Sequence, residues 1–243
     1  MSDLLKHDDK LNVPASLLPP DIQREEGDFR SSPHWRVMRI QAEFVDGWNF
    51  LADVKKSVTI FGSARFPEGS RWYDEARKLG RLLAESGYSV VTGGGPGAME
   101  AGNRGATESG RPNSSIGLDI KLPYEQRANP YVQRGVGFHY FFVRKVMLAY
   151  SAQAYVYMPG GFGTLDELTE LITLVQTKKI SVKIPMILVG REFWQPFLDW
   201  LENTVLEKYQ AISATDKEIY SLVDTAEEAL EIIKASPERK EFG

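Results

Sequence analysis

The sequence has no cysteine and only three histidines, His7, His34 and His139, in 243 residues. The first absence removes disulfides, a thiolate nucleophile and cysteine-held zinc together. The second leaves no basis for a histidine-rich metal site. An excess of one charge is also lacking, since 29 basic residues face 33 acidic ones for a formal net charge of −4. A surface that coats nucleic acid is therefore not expected. Long apolar runs are missing too. Ile184-Pro185-Met186-Ile187-Leu188-Val189 is short and interrupted, far from the roughly 20 residues that span a bilayer. The first residues, Met1 to Lys10, are acidic and carry no apolar signal-peptide core. The expectation is a soluble cytoplasmic protein that binds neither membrane nor nucleic acid.

What the chain does have is length for a substantial core and an alternation of β-rich and helical segments. Residues 1–33 mix charges with Pro14, Pro19, Pro20 and Pro33 and read as a flexible or peripherally docked arm. Over 34–54, Val37, Ile40, Phe44, Trp48 and Leu51 recur every three or four residues. That spacing predicts an amphipathic helix, packed on the domain or on a partner. Residues 55–243 read as one domain. Strands are expected at 57–61, 88–92, 115–122, 154–158, 185–189 and 219–223, and helices at 72–86, 96–109, 138–150, 164–178, 193–209 and 225–235. An irregular stretch is expected at 123–137. Repeated strand–helix units with apolar strands predict an α/β fold: a doubly wound, mainly parallel sheet with helices on both faces. Right-handed crossovers then gather the strand-to-helix loops at one sheet edge, where such folds bind ligands.

Three of those loops contain glycine: Gly62-Ser63-Ala64-Arg65, Gly93-Gly94-Gly95-Pro96-Gly97 and Gly160-Gly161-Phe162-Gly163-Thr164. Glycine serves a tight turn equally well as a phosphate cradle, in which backbone N–H groups and a helix N-terminus face an anion. Three loops at matching topological positions favour the cradle. None has the G-x-G-x-x-G spacing of a dinucleotide site or the G-K-[ST] of a triphosphate loop. Thr164-Leu165-Asp166-Glu167 has capping-box spacing, which alone would explain Thr164 and Glu167. A cap does not need the glycines upstream, however, and these clear space for a ligand beside Glu167. Arg144 and Lys145 interrupt the apolar run 138–149 and must reach solvent, a carboxylate or an anion. Phe138, Tyr140, Phe141 and Phe142 read as core, and Trp194 and Trp200 as helix–sheet packing.

Pro159-Gly160-Gly161-Phe162-Gly163-Thr164-Leu165-Asp166-Glu167 resembles the PGGxGTxxE signature of the LOG family, formerly labelled lysine decarboxylases. Arg144-Lys145 resembles that family's RK pair, and Gly93 to Glu100 resembles the GGGPGxME loop of its longer bacterial branch. The resemblance runs over about 57–223 and implies a Rossmann-like phosphoribohydrolase. Such an enzyme releases a free base and ribose 5-phosphate from AMP or a cytokinin riboside 5′-monophosphate. It further implies Arg144 and Glu167 as the catalytic pair. Gly160, Gly161, Gly163 and Thr164 match the phosphate loop, with Lys145 and Asp166 as nearby substrate contacts. Gly62, Ser63, Gly94, Gly95, Gly97 and Met99 join them as substrate-binding positions, and Glu125 and Thr173 match further sugar or base contacts. Asp166 stands where the family often has glutamate. No metal or organic cofactor is implied, and a homodimer is. The alternative reading is a non-enzymatic carrier of a phosphorylated ligand such as molybdenum cofactor, a role that some relatives of this fold resemble.

Overall fold

The computed structural model of the protein describes residues 29–54, 56–121, 128–150, 152–181 and 183–239. The expected arm thus lies almost wholly outside the described residues, as does Glu125. The described residues open with a 3-10 turn, Phe29–Ser31, followed by α1 (Pro33–Leu51). Pro33 sits where a helix needs no N–H, and the Ser32 hydroxyl accepts from the Trp35 amide at 3.2 Å. Strand and helix then alternate through β1 (Ser57–Phe61), α2 (Arg71–Glu85), β2 (Ser89–Thr92), α3 (Ala98–Glu108) and β3 (Ser115–Ile120). They continue as β4 (Arg134–Phe138), α4 (Phe141–Tyr150), β5 (Ala152–Tyr157) and α5 (Phe162–Gln176). β6 (Met186–Val189), α6 (Arg191–Trp200), β7 (Tyr220–Val223) and α7 (Ala226–Ala235) complete the order. α7 starts in a capping box between Thr225 and Glu228.

The strands form one sheet of seven, ordered β4-β3-β2-β1-β5-β6-β7, and every neighbouring pair is parallel. Alternate side chains point to opposite faces, and each face has its own core. Val58, Ile60, Val90, Ala154, Val156 and Ile187 pack with Leu79 and Leu83 of α2, Ala101 of α3 and Leu230 of α7. Phe61, Val91, Ile116, Tyr155, Tyr157 and Leu188 pack with Leu51 of α1, Met147 of α4, Leu168 of α5 and Trp194 of α6. β1, the central strand, and its neighbour β5 are buried along their whole lengths, as strands covered on both faces must be. Together these make the doubly wound α/β fold that the strand–helix alternation predicts. Among the described residues no helix is long and apolar enough to cross a membrane.

The structure corrects several details. The stretch 123–137, expected to be irregular, contains most of β4, whose register runs Ile116↔Arg134 to Ile120↔Phe138. Gly135 and Gly137 conceal it, because glycine weakens a strand pattern and is tolerated at a sheet edge. Phe138 therefore ends a strand, and α4 begins three residues later than expected. Phe138 is core, but Phe141 and Phe142 on α4 are exposed, as is Trp200 on α6. Beyond Trp200 the helix widens into a π-helical segment, Leu201–Lys208, closed by Tyr209 N–H to Thr204 O at 3.0 Å.

Candidate active site

Strand order reverses between β1 and β5, so the loops leaving these strands diverge to opposite sides of the sheet and leave a crevice at its carboxyl edge. A cavity of about 610 Å³ occupies that crevice. Its walls come from Gly62, Ser63, Ala64 and Arg65 after β1, Gly93 and Met99 around the turn into α3, Gly161 to Leu165 at the head of α5, and Arg144 and Leu148 of α4. Hydrogen bonds lock the loops to one another. Ser63 N–H donates to Pro159 O at 3.0 Å, and Ala98 N–H donates to Ser63 O at 2.9 Å. Asn129, itself buried, donates through its side-chain amide to Gly94 O and Gly95 O at 3.0 and 3.1 Å.

The head of α5 does not use Thr164 and Glu167 as a capping box. Gly161 occupies the cap, without a side-chain bond, and accepts from the Thr164 and Leu165 amides at 3.0 Å each. Thr164 is instead buried beneath the loop, where a Cβ on Gly160 would collide with its side chain. Around Gly161 and Gly163 the space stays open. A helix N-terminus facing a cavity with glycine at its lip suits an anion.

One turn further, Glu167 is only 6 % exposed and lines the cavity. Among the described residues no side chain donates a hydrogen bond to it. Burial pushes its carboxyl up from 4.5 to about 7, against the opposing pull of Lys145 and Arg144 and with the nearby Glu170 and Asp166 adding to the rise. Arg144 enters the cavity from α4, with Phe141 ring at 5.0 Å from its guanidinium. Its buried Nε has no partner among the described residues. Burial lowers the basicity of the guanidinium, while Glu167, Asp119 and Asp166 raise it. An arginine remains charged in such surroundings. The pair is therefore a desolvated cation and a carboxyl that titrates near neutrality, facing open space and not bonded to each other.

The placement of Arg144 depends on both ends of α4. At its start, the Glu43 carboxylate of α1 accepts from the His139 and Tyr140 amides at 2.9 and 3.1 Å. At its end, the Thr59 hydroxyl donates to Leu148 O at 2.9 Å and the Tyr155 hydroxyl to Ala149 O at 2.7 Å. Helix ends otherwise leave backbone groups unsatisfied, so these bonds fix α4 along its axis.

Of the residues singled out in the sequence, Gly62, Ser63, Met99, Arg144, Gly161, Gly163, Thr164 and Glu167 line the cavity. Gly94, Gly95, Gly97 and Gly160 belong to the same loops but do not line the cavity. Lys145 turns away and bridges Asp166 and Glu170 of α5 at 2.9 and 2.8 Å, so neither Lys145 nor Asp166 lines the cavity. Thr173 lies three turns along α5, exposed, with its hydroxyl donating to Thr169 O at 2.8 Å. Arg65 and Gly93 also line the cavity; both belong to the glycine loops read from the sequence, but neither is singled out there as a site residue. Among the described residues no group of three or more His, Cys, Asp or Glu could hold a metal ion.

A family model described as "possible lysine decarboxylase" matches residues 99–233, more than half of the chain. The cytokinin riboside 5′-monophosphate phosphoribohydrolase LOG of Oryza sativa subsp. japonica is 33% identical over 156 residues, covering 63% of this chain and 62% of that protein. The chain thus spans just under two thirds of the rice relative. A cytokinin riboside 5′-monophosphate phosphoribohydrolase of Rhodococcoides fascians is 26% identical over 155 residues, covering 63% and 78%. Among solved structures, the molybdenum cofactor binding protein of Rippkaea orientalis superposes with a TM-score of 0.55 at 19% identity, over 74% of this chain and 96% of that one. That likeness is one of fold.

Proposed function

Because the chain belongs to the LOG family, we propose that it hydrolyses the N-glycosidic bond of a nucleoside 5′-monophosphate, either AMP or a cytokinin riboside 5′-monophosphate, to free base and ribose 5-phosphate. The observation that carries this reading is the buried Glu167, titrating at about 7, one helical turn from the open glycine loop. The phosphate binds at the amides of Gly161 to Thr164, where the N-terminus of α5 favours an anion. Anchoring it there holds the anomeric carbon still, so remote binding energy serves the reaction. Glu167, in its ionised form, takes a proton from a water that adds to that carbon. The C–N bond breaks as the C–O bond forms, its electron pair leaves with the base, and the base nitrogen takes a proton from water, to which the Glu167 carboxyl returns the one it accepted. The carboxylate also stabilises the positive charge that develops on the sugar ring. Arg144 donates to substrate oxygens and keeps the sugar in register with Glu167.

The test is chromatography of reactions of the full chain with AMP, a prenylated AMP, GMP and CMP. Free base together with ribose 5-phosphate from AMP or its prenylated form is the expected result. Binding of these nucleotides without product would favour the carrier of a phosphorylated ligand instead.

The protein is further proposed to act as a homodimer with its sites near the subunit boundary. Supporting this, Val37, Met38, Val45 and Trp48 of α1 and Phe141, Phe142 and Val146 of α4 are exposed. Phe162, at the mouth of the cavity, is 92 % exposed. Apolar surface of this extent is ordinarily covered. Sedimentation velocity should give twice the chain mass, and a monomer at micromolar concentration would rule the dimer out.

A further inference from the structure

Asp119, the penultimate residue of β3, plays no part in the mechanism above, yet it lies beside it. Its half-buried carboxylate rests flush on Gly94, where a Cβ would collide with it. Gly94 also has φ +72°, a conformation that side chains rarely adopt. One residue earlier, a Cβ on Gly93 would stand 3.5 Å from an Arg144 terminal nitrogen. Two consecutive glycines thus leave room, one for a cation and the next for an acid. Among the described residues no group donates a hydrogen bond to Asp119, and its one charged neighbour of note is Arg144, which opposes the upward push of burial on its carboxyl. Arg144 in turn feels Glu167 and Asp119 from separate directions, one from α5 and one from β3, and forms an ion pair with neither.

A lone guanidinium beside a single buried carboxylate would close on it, because a direct pair in a desolvated site is strongly favoured. Here that closure has not happened. We propose that Asp119 is a positioning residue whose carboxylate holds the Arg144 guanidinium away from Glu167, leaving both free to meet the substrate. The inference rests on the phosphoribohydrolase reading for its purpose but on geometry for its substance. Loss of the Asp119 charge lets Arg144 swing to Glu167 and form the ion pair that the wild-type protein lacks.

The groups facing Glu167 set the sign of the test. Arg144 and Lys145 come from α4, Asp166 and Glu170 from its own helix, and the buried Tyr157 hydroxyl from β5. Arg65 stands across the cavity. Of these, Arg144 and Tyr157 each hold a buried polar atom without a partner among the described residues, and only Arg144 brings a charge that can move onto the carboxylate. In Asp119→Asn the Glu167 midpoint should therefore fall below about 7 by about one pH unit or more, the usual effect of a new guanidinium contact.

The experiment is a carboxyl-carbon NMR titration of the full chain labelled in glutamate, with the Glu167 signal identified by its loss in Glu167→Gln. A lowered midpoint in Asp119→Asn, restored in Asp119→Glu, is expected. Should the asparagine variant not fold, Asp119→Ser removes the same charge in a smaller side chain that clears Gly94. An unmoved or raised midpoint in the folded charge-loss variant overturns the proposal. The titration needs no turnover. A wild type that releases no base from AMP would overturn the proposed function, while the titration still decides the role of Asp119.

Discussion

Glu167→Gln is expected to reduce base release from AMP by about 100- to 10,000-fold, the range that a positioned acid–base group contributes. The variant should also be more stable than the wild type, and only in one pH range. In the unfolded chain the carboxyl titrates near its ordinary 4.5, whereas in the folded protein burial moves it to about 7. Below 4.5 both states hold the proton and Glu167 costs nothing. As the pH rises the unfolded chain ionises first, so folding stability falls until the pH passes about 7. Glutamine suffers no such loss, and its advantage should grow to about 1–3 kcal/mol above that point. Urea midpoints of both proteins on either side of the window check this. An active Glu167→Gln, or a stability difference that ignores pH, would remove Glu167 from its assigned role. In the wild type, kcat should rise with pH through about 7, as the carboxylate forms.

Arg144→Ala is the second large effect, with kcat/KM expected to drop by about 100- to 1,000-fold, as for loss of one preorganised donor. Little stability should be lost, because the buried Nε has no partner among the described residues and removing an unpaired buried cation relieves desolvation. Lysine should not rescue it, since a point charge cannot reproduce the planar fork. The titration of Glu167 gives a sharper criterion. Arg144 holds that carboxyl down, so Arg144→Ala should move the acid limb of the pH–rate profile upward. Asp119→Asn is expected to move it downward. Opposite shifts from substitutions on either side of one guanidinium are hard to produce by general loosening of the site.

Much of this arrangement is legible in the chain before any coordinates. Short, mostly apolar runs in 57–61 and 154–158 report strands buried on both faces, and glycines after them report loops that approach something closely. The same glycine signal hides β4, where Gly135 and Gly137 dilute the strand pattern, and with it the true start of α4. Spacing puts Arg144 and Lys145 side by side but does not say which enters the cavity. That is decided by helix phase, which turns neighbouring residues about 100° apart and sends Lys145 to Asp166 and Glu170. Thr164 and Glu167 have capping-box spacing, yet Gly161 takes the cap because the loop enters the helix one turn earlier. Asp119 is invisible to any local reading, since its partners lie on α4 and on the β2–α3 turn.

The pairing of β1 with β5 joins Ser57 to Ala152, with three strands and three helices threaded between them. Closing so long a segment is entropically slow. During synthesis on the ribosome, the first glycine loop must wait for the second wall of the crevice to emerge. A nascent or truncated chain that ends before α5 lacks one wall of the cavity. A ligand that bridges both walls therefore reports on completion of the whole domain: its binding energy opposes global unfolding, because no smaller unit can retain it.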